Sequence, residues 1–211
     1  MGKIDFIKIT TGMFIMLNPF VLIPVFLSLT GDATPARRKK IAVTCAVAVF
    51  IIMTISVFTG EKLLYFFGIT VADFRIAGGI LILLMALNMA RAQHEGMRYS
   101  PQEHEEAMGK ADNIAVVPLA IPLMAGPAAM CTAVIYAGDC NTIETRSALI
   151  AIIGALCAIL WISMLLADHI GRILGTTGQQ ILKRIMGLIL LAMAVEFIVA
   201  GVGETFRLHV R

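Results

Sequence analysis

The sequence predicts an all-α integral membrane protein. It has six transmembrane helices arranged as two inverted three-helix repeats, with helices 1 and 4 broken at proline pairs. Three observations lead there. First, 59% of the 211 residues are hydrophobic, only 15% are charged, and the mean hydropathy is +0.89. A soluble domain carries roughly a quarter charged residues, so this chain lacks the polar surface to cover a globule in water. It is equally too apolar for a disordered chain. Second, the apolar residues fall into six runs long enough to cross a bilayer. Third, the two halves share a pattern of links, glycines and prolines.

A spanning helix needs about 20 mostly apolar residues. The six runs are 6–29, 41–59, 71–90, 114–137, 148–167 and 181–202. They are continuous rather than alternating, which selects helices over the strands of a barrel. The first is read as retained, because its apolar run is too long for a signal peptide and no small-x-small cleavage pattern follows it. Polar links cover 31–40, 60–70, 138–147 and 168–180, and the longest, 91–113, is rich in Glu, His and Gln. The chain thus divides into a first repeat (1–90), a polar cytoplasmic loop (91–113) and a second repeat (114–211). Lys and Arg favour the cytoplasmic side of a membrane. Ten of the 17 fall on the side of the links after spans 1, 3 and 5, counting Lys183 and Arg184 at the start of span 6, and the run Arg37–Lys40 is the densest. That run is placed in the cytoplasm, with both termini on the outer side of the membrane.

Spans 2 and 5 are followed by related segments. Gly60-Glu61-Lys62 leads through an apolar stretch to Gly68-Ile69-Thr70, and Asp168-His169-Ile170-Gly171-Arg172 leads to Gly175-Thr176-Thr177. The next spans match as well. Phe74-Arg75 precedes Gly79 and Met85-Ala86, while Leu182-Lys183 precedes Gly187 and Met193-Ala194. The first helix of each half carries prolines at one spacing, Pro19 with Pro24 and Pro122 with Pro127. A unit of three spans is odd, so the second copy enters the membrane from the opposite side, a known transporter design.

Proline removes a backbone donor and clashes with the carbonyl four residues back. In hydrocarbon, freed backbone groups survive only where they are buried in protein or line a watery cavity. A paired break near mid-span therefore reads as a binding site. Half-helix N-termini offer N–H donors and partial positive charge for a carboxylate. Half-helix C-termini offer carbonyls for an ammonium group or cation. A small zwitterion carries both. The candidate binding residues are Asn18, Pro19, Pro24, Pro122, Gly126, Pro127 and Thr132.

Three ordered stretches carry a family resemblance. Asn18-Pro19-Phe20-Val21-Leu22-Ile23-Pro24 resembles the first-helix motif of the MarC family, Phe74-Arg75-Ile76-Ala77-Gly78-Gly79 its third, and Ala120-Ile121-Pro122-Leu123-Met124-Ala125-Gly126-Pro127 its fourth. The resemblance covers essentially the whole chain. It implies a six-span bacterial inner-membrane protein related to transporters of glycine, alanine, serine and threonine. Where members often carry glycine, this chain has Val21 and Ala128. Glycine lets a ligand approach the backbone closely, so these replacements reshape the expected pocket.

Polar residues within or closing spans are functional candidates. Glu61, Asp73, Arg75, Asp168 and Glu196 are assigned to gating or coupling, with a proton or sodium ion as the coupling partner. Helix-end charges also serve as interfacial anchors, which leaves both readings open. Gly78-Gly79 and Gly187 read as close helix packing.

Other classes are set aside. Cys45, Cys131, Cys140 and Cys157 show no CxxC spacing, so neither a disulfide framework nor zinc is expected. The net charge of +3 is spread out and gives no nucleic-acid footprint. The phosphate-binding GxxxxGK[ST] pattern is missing, so a gradient or a partner must supply any driving force. Catalytic residues, metals and cofactors are not expected, and the chain is read as a non-enzyme. The expected partners are a small neutral solute and the lipid bilayer, with a homo-oligomer allowed. The competing reading is a non-transporting membrane scaffold.

Overall fold

The structure, a computed structural model, describes residues 6–31, 33–90, 125–140 and 142–209. Among the described residues seven helices follow one another: α1 (Phe6–Leu17), α2 (Pro19–Thr30), α3 (Pro35–Phe66), α4 (Val71–Ala90), α5 (Pro127–Gly138), α6 (Ile143–Leu165) and α7 (Ala167–His209). The described residues contain no strand. Five stretches among the described residues are long and apolar enough to cross a membrane: Phe6–Leu27, Pro35–Phe66, Val71–Ala90, Ile143–Leu165 and Thr177–Phe206. α5 is a shorter apolar helix of 12 residues. The rest of the fourth run, including Pro122, lies outside the described residues.

The helices overrun the apolar runs because capping chemistry, not hydropathy, sets where a helix stops. α3 begins at Pro35 because the Thr34 hydroxyl accepts from the Arg37 N–H at 3.4 Å and proline suits the first helical position. It ends where Gly68 takes a φ of 70°. There the Ile69 N–H reaches the Leu64 carbonyl and the Gly68 N–H reaches that of Tyr65, a Schellman closure. Thr142 and Thr145 cap α6 reciprocally, which starts that helix ahead of its apolar run. The link 168–180, expected as a connector, is helical apart from a break at Gly175, where φ is 56° and ψ is −176°. Gly68 and Gly175 are the two positive-φ glycines among the described residues, and each precedes the last span of its half.

The first span and α5 occupy the interior. The apolar stretch of Phe6–Leu27 is 65% buried, against 28–44% for the other four spans. Leu22, Ile23 and Phe26 of α2 are fully enclosed, and α5 buries a continuous run from Thr132 to Ala137. Three glycines make room for α5. A Cβ on Gly12 of α1 would lie 2.3 Å from the Tyr136 hydroxyl, and one on Gly60 of α3 2.3 Å from Val134. One on Gly78 of α4 would lie 3.2 Å from Cys131.

Around this interior, α3 packs on α6 and α4 packs on α7. The α4–α7 contact is reciprocal. A Cβ on Gly79 would meet the Ala194 carbonyl at 3.0 Å and the Ile198 nitrogen at 3.1 Å. One on Gly187 would meet the Ala86 carbonyl at 3.1 Å and the Ala90 nitrogen at 2.8 Å. A single offset in sequence carries Gly79 onto Gly187, Ala86 onto Ala194 and Ala90 onto Ile198. Gly201 continues the seam against the Ala72 carbonyl, so the two helices run antiparallel.

Candidate functional site

The first span is interrupted at Asn18, which has a φ of 42° and a ψ of 68°. It is the one non-glycine residue with positive φ among those described. Asparagine tolerates this left-handed conformation better than most residues, because its short polar side chain bonds locally. Pro19 follows at the first turn of α2, where its missing N–H costs nothing. Pro24 sits inside α2 without ending it and is half-buried. In the second half, α5 starts at Pro127, preceded by an extended Gly126. Thus the interruption precedes the first proline of the pair in one half. In the other, a helix begins at the second proline.

Asn18 is 7% exposed. Its N–H donates to the Phe14 carbonyl at 3.1 Å, and its amide nitrogen lies 4.0 Å from the Met89 sulfur of α4. Its side-chain oxygen is buried and has no hydrogen-bond partner. Neither α2 nor α5 receives a side-chain cap, although Ala128 and Ala129 in the first turn of α5 are buried. Uncapped, buried helix N-termini leave N–H donors for another acceptor. Thr132 is fully buried and donates to the Ala128 carbonyl at 2.9 Å, so its proton is committed while its oxygen still accepts.

Lys8 of α1 pairs with Glu196 of α7, and Asp139, just past α5, pairs with Arg75 of α4, which also pairs with Glu204 of α7. The start of α1 and the end of α5 therefore share one end of the molecule. Each helix is 12 residues long, roughly 18 Å, so each reaches its interruption near mid-membrane. The C-terminal carbonyls of α1 and the N-terminal amides of α2 border the first interruption, and the N-terminal amides of α5 border the second.

Of the assigned charged residues, Glu61, Asp73, Arg75 and Asp168 lie near helix ends, while Glu196 lies ten residues inside the end of the stretch Thr177–Phe206. Arg75, half-buried, holds Asp139 at 2.7 Å and Glu204 at 3.3 Å. Glu61 pairs with Arg146, joining α3 to α6, and the link around it borders an open cavity of about 700 Å³. Between these pairs sits Cys140, whose buried thiol donates to the Thr145 carbonyl at 3.6 Å. Burial pushes that thiol above its ordinary range, the Thr145 contact opposes the shift, and Asp139 adds to it. Asp73 has a local role, accepting from the Thr70 hydroxyl at 2.6 Å to cap α4. At the opposite end Asp168 pairs with Arg38 at 2.8 Å. Arg38 also closes α2 by donating to the carbonyls of Thr30 and Gly31. The partners Lys8, Arg38, Asp139, Arg146 and Glu204 were not singled out from sequence. Each lies far along the chain from its mate, and no local spacing marks it.

All four cysteines are free thiols. No solved structure matches the chain. It is 37% identical over 201 residues to UPF0056 membrane protein YhcE of Escherichia coli (strain K12), covering 95% of this chain and 93% of that one. A UPF0056 membrane protein of Aquifex aeolicus is 36% identical over 203 residues, with 96% and 94% covered. UPF0056 membrane protein MJ1677 of Methanocaldococcus jannaschii is 36% identical over 197 residues, with 93% and 95% covered. The model of the MarC family of integral membrane proteins matches residues 4–206. With a match along nearly its whole length and described residues that form several apolar, membrane-length helices, the chain belongs to the MarC family of integral membrane proteins.

Proposed function

We propose that the protein is a secondary transporter of small neutral solutes, amino acids of the size of glycine, alanine, serine or threonine. The carrying observation is the buried, unpartnered oxygen of Asn18 at a helix interruption, with an uncapped, buried helix start at α5 in the other half. Two helix N-termini and one C-terminus would complement a carboxylate and an ammonium group. Small residues at Gly126, Ala128 and Ala129 suit a small solute.

Alternating access between two inverted repeats is the proposed mechanism, driven by a proton or sodium gradient. The reciprocal glycine contacts of α4 and α7 support it, as do the matched positive-φ glycines Gly68 and Gly175. Antiparallel packing of corresponding helices is what an inverted repeat requires. The pairs of Arg75 join α4 to the end of α5 and to α7, and that of Glu61 with Arg146 joins α3 to α6, as a closed gate would. We place this end in the periplasm of a bacterial inner membrane, with both termini, and the Arg37–Lys40 run in the cytoplasm. The protein is not proposed to be an enzyme.

Uptake of labelled glycine, alanine, serine and threonine into proteoliposomes, under imposed pH or sodium gradients, tests the reading. Saturable uptake lost in Asn18→Ala is the expected result. A folded protein giving no flux of these solutes under any gradient overturns it.

A further inference from the structure

Of the three glycines that seat α5, Gly12 makes a different kind of contact from the other two. A Cβ on Gly60 would meet the branched carbons of Val134, and one on Gly78 the Cβ of Cys131, atoms that move only with their helix. At Gly12 the neighbours are side-chain tips. A Cβ there would lie 2.3 Å from the Tyr136 hydroxyl, 3.3 Å from the ring carbon that bears it and 3.1 Å from the terminal methyl of Met193. A change of rotamer undoes such a contact and leaves the backbones in place. The Tyr136 side chain is buried and meets the Phe197 ring of α7 edge-to-face, with centroids 5.9 Å apart.

This contact lies between the interruption at Asn18 and the end of the molecule that holds Arg75. Lys8, Gly12 and Ile15 share one face of α1, which runs on into Asn18 and Pro19. Lys8, paired with Glu196, is one turn nearer the start of α1 than Gly12. On α5, Tyr136 stands just before Asp139, the partner of Arg75. In the other direction the same face of α5 carries Thr132 and Ala129, both small and buried, down to the uncapped first turn. Tyr136 is the one large side chain of these three.

We propose that Tyr136 is a gating residue on the route of the solute, an inference that rests on the transporter reading of the interruption. With its ring on Gly12 it closes the way from the Arg75 end to Asn18 and to the start of α5. Swinging the ring off Gly12 opens a gap between α1 and α5 that Thr132 and Ala129 line. Glycine at position 12 provides the seat, since any side chain there displaces the ring. The interior is close-packed, so the ring turns only when its neighbours loosen. Opening is thereby tied to movement of α1 or α7, the helices that supply Gly12 and Phe197. The Lys8–Glu196 pair stands as a second closure one turn farther out.

The test places one reporter, Ala129→Cys, in the full chain with the four native cysteines replaced by alanine, reconstituted in vesicles. A small membrane-impermeant methanethiosulfonate is added on the face that carries Glu204, and the labelling rate is read without any solute. Gly12→Ala forces the ring off its seat and Tyr136→Ala removes it. Both are expected to label about tenfold faster or more than the parent, as for an open state populated at about 10% or less. Tyr136→Phe keeps the ring on Gly12 and labels as slowly as the parent. If Tyr136→Ala does not fold, Gly12→Ala, which leaves the core volume filled, carries the test. Unchanged rates in the folded variants overturn the proposal, as does acceleration only from the opposite face. So does a Tyr136→Phe rate equal to that of Tyr136→Ala, because the ring would then not be the barrier. Labelling needs no flux, so the two readings fail separately. Accelerated labelling in a protein that carries no solute removes the transporter reading and keeps Tyr136 as a barrier to water. Saturable uptake with unchanged labelling removes the gate alone.

Discussion

Asn18 combines two functions in one residue. Its backbone holds a left-handed turn that costs an ordinary residue about 1–2 kcal/mol, and its amide oxygen is buried without a partner. Substitution separates the two. Asn18→Gly relieves the backbone and removes the amide. We expect it to melt within a few degrees of wild type while losing uptake in proteoliposomes. Asn18→Val, β-branched at the same turn, is expected to lose about 1–2 kcal/mol of stability as well, read by denaturant titration. Wild-type uptake in Asn18→Gly would remove the side chain from the site. Arg75 calls for a different measurement. It holds Asp139 and Glu204, and Cys140 lies beside Asp139. Arg75→Gln is expected to raise the rate at which a maleimide labels Cys140, on a background lacking the other cysteines. In wild type the thiol is buried and held above its ordinary pKa range. Thiolate forms only as pH rises, so alkylation should stay slow at pH 8 and keep accelerating past pH 9. A rate already level at pH 8 would contradict the raised pKa.

At the scale of elements, the α4–α7 seam depends on glycine where backbones meet. A methyl group on Gly187 would lie 2.8 Å from the Ala90 nitrogen, and one on Gly79 3.0 Å from the Ala194 carbonyl. Backbone cannot rotate aside as a side chain does. Each glycine-to-alanine change is therefore expected to cost about 1–3 kcal/mol by overpacking. The two costs should be alike, because the contacts are reciprocal. Unfolding followed by helical circular dichroism checks this, and a neutral Gly187→Ala would argue against the tight crossing. The contrast with Gly203 is informative, since a Cβ there meets nothing within 4 Å and alanine should be tolerated. Small residues let helices approach closely where hydrocarbon offers no hydrophobic drive. α5 uses the same device three times, resting on Gly12, Gly60 and Gly78.

Across the whole molecule, charges concentrate at the two ends. Lys8–Glu196, Glu61–Arg146 and Arg75 with Asp139 and Glu204 mark one end, and Arg38–Asp168 marks the other. Single cysteines at Lys39 and Glu204 should thus be labelled by an impermeant thiol reagent from opposite faces of a sealed vesicle. Labelling of both from one face would overturn the proposed topology. Much of this architecture is legible in the residue order. Composition requires a bilayer, because no arrangement of so few polar groups covers a soluble globule. The six apolar runs place the spans, and Asn18-Pro19 marks the interruption, because proline acts on its own neighbours and needs no distant contact. Helix ends were read less well, since the caps at Thr34, Gly68 and Thr142 lie outside the apolar runs. The pairings remained hidden: Glu61 shows an unpaired carboxylate in sequence, and only folding brings Arg146 to it. The same holds for the unpartnered oxygen of Asn18, the contact of Gly79 with Ala194, and the seat of Tyr136 on Gly12. Local chemistry acts through adjacent residues and is written in their order. Ion pairs, close crossings and cavities arise between helices distant in sequence, so they exist only once the spans have packed.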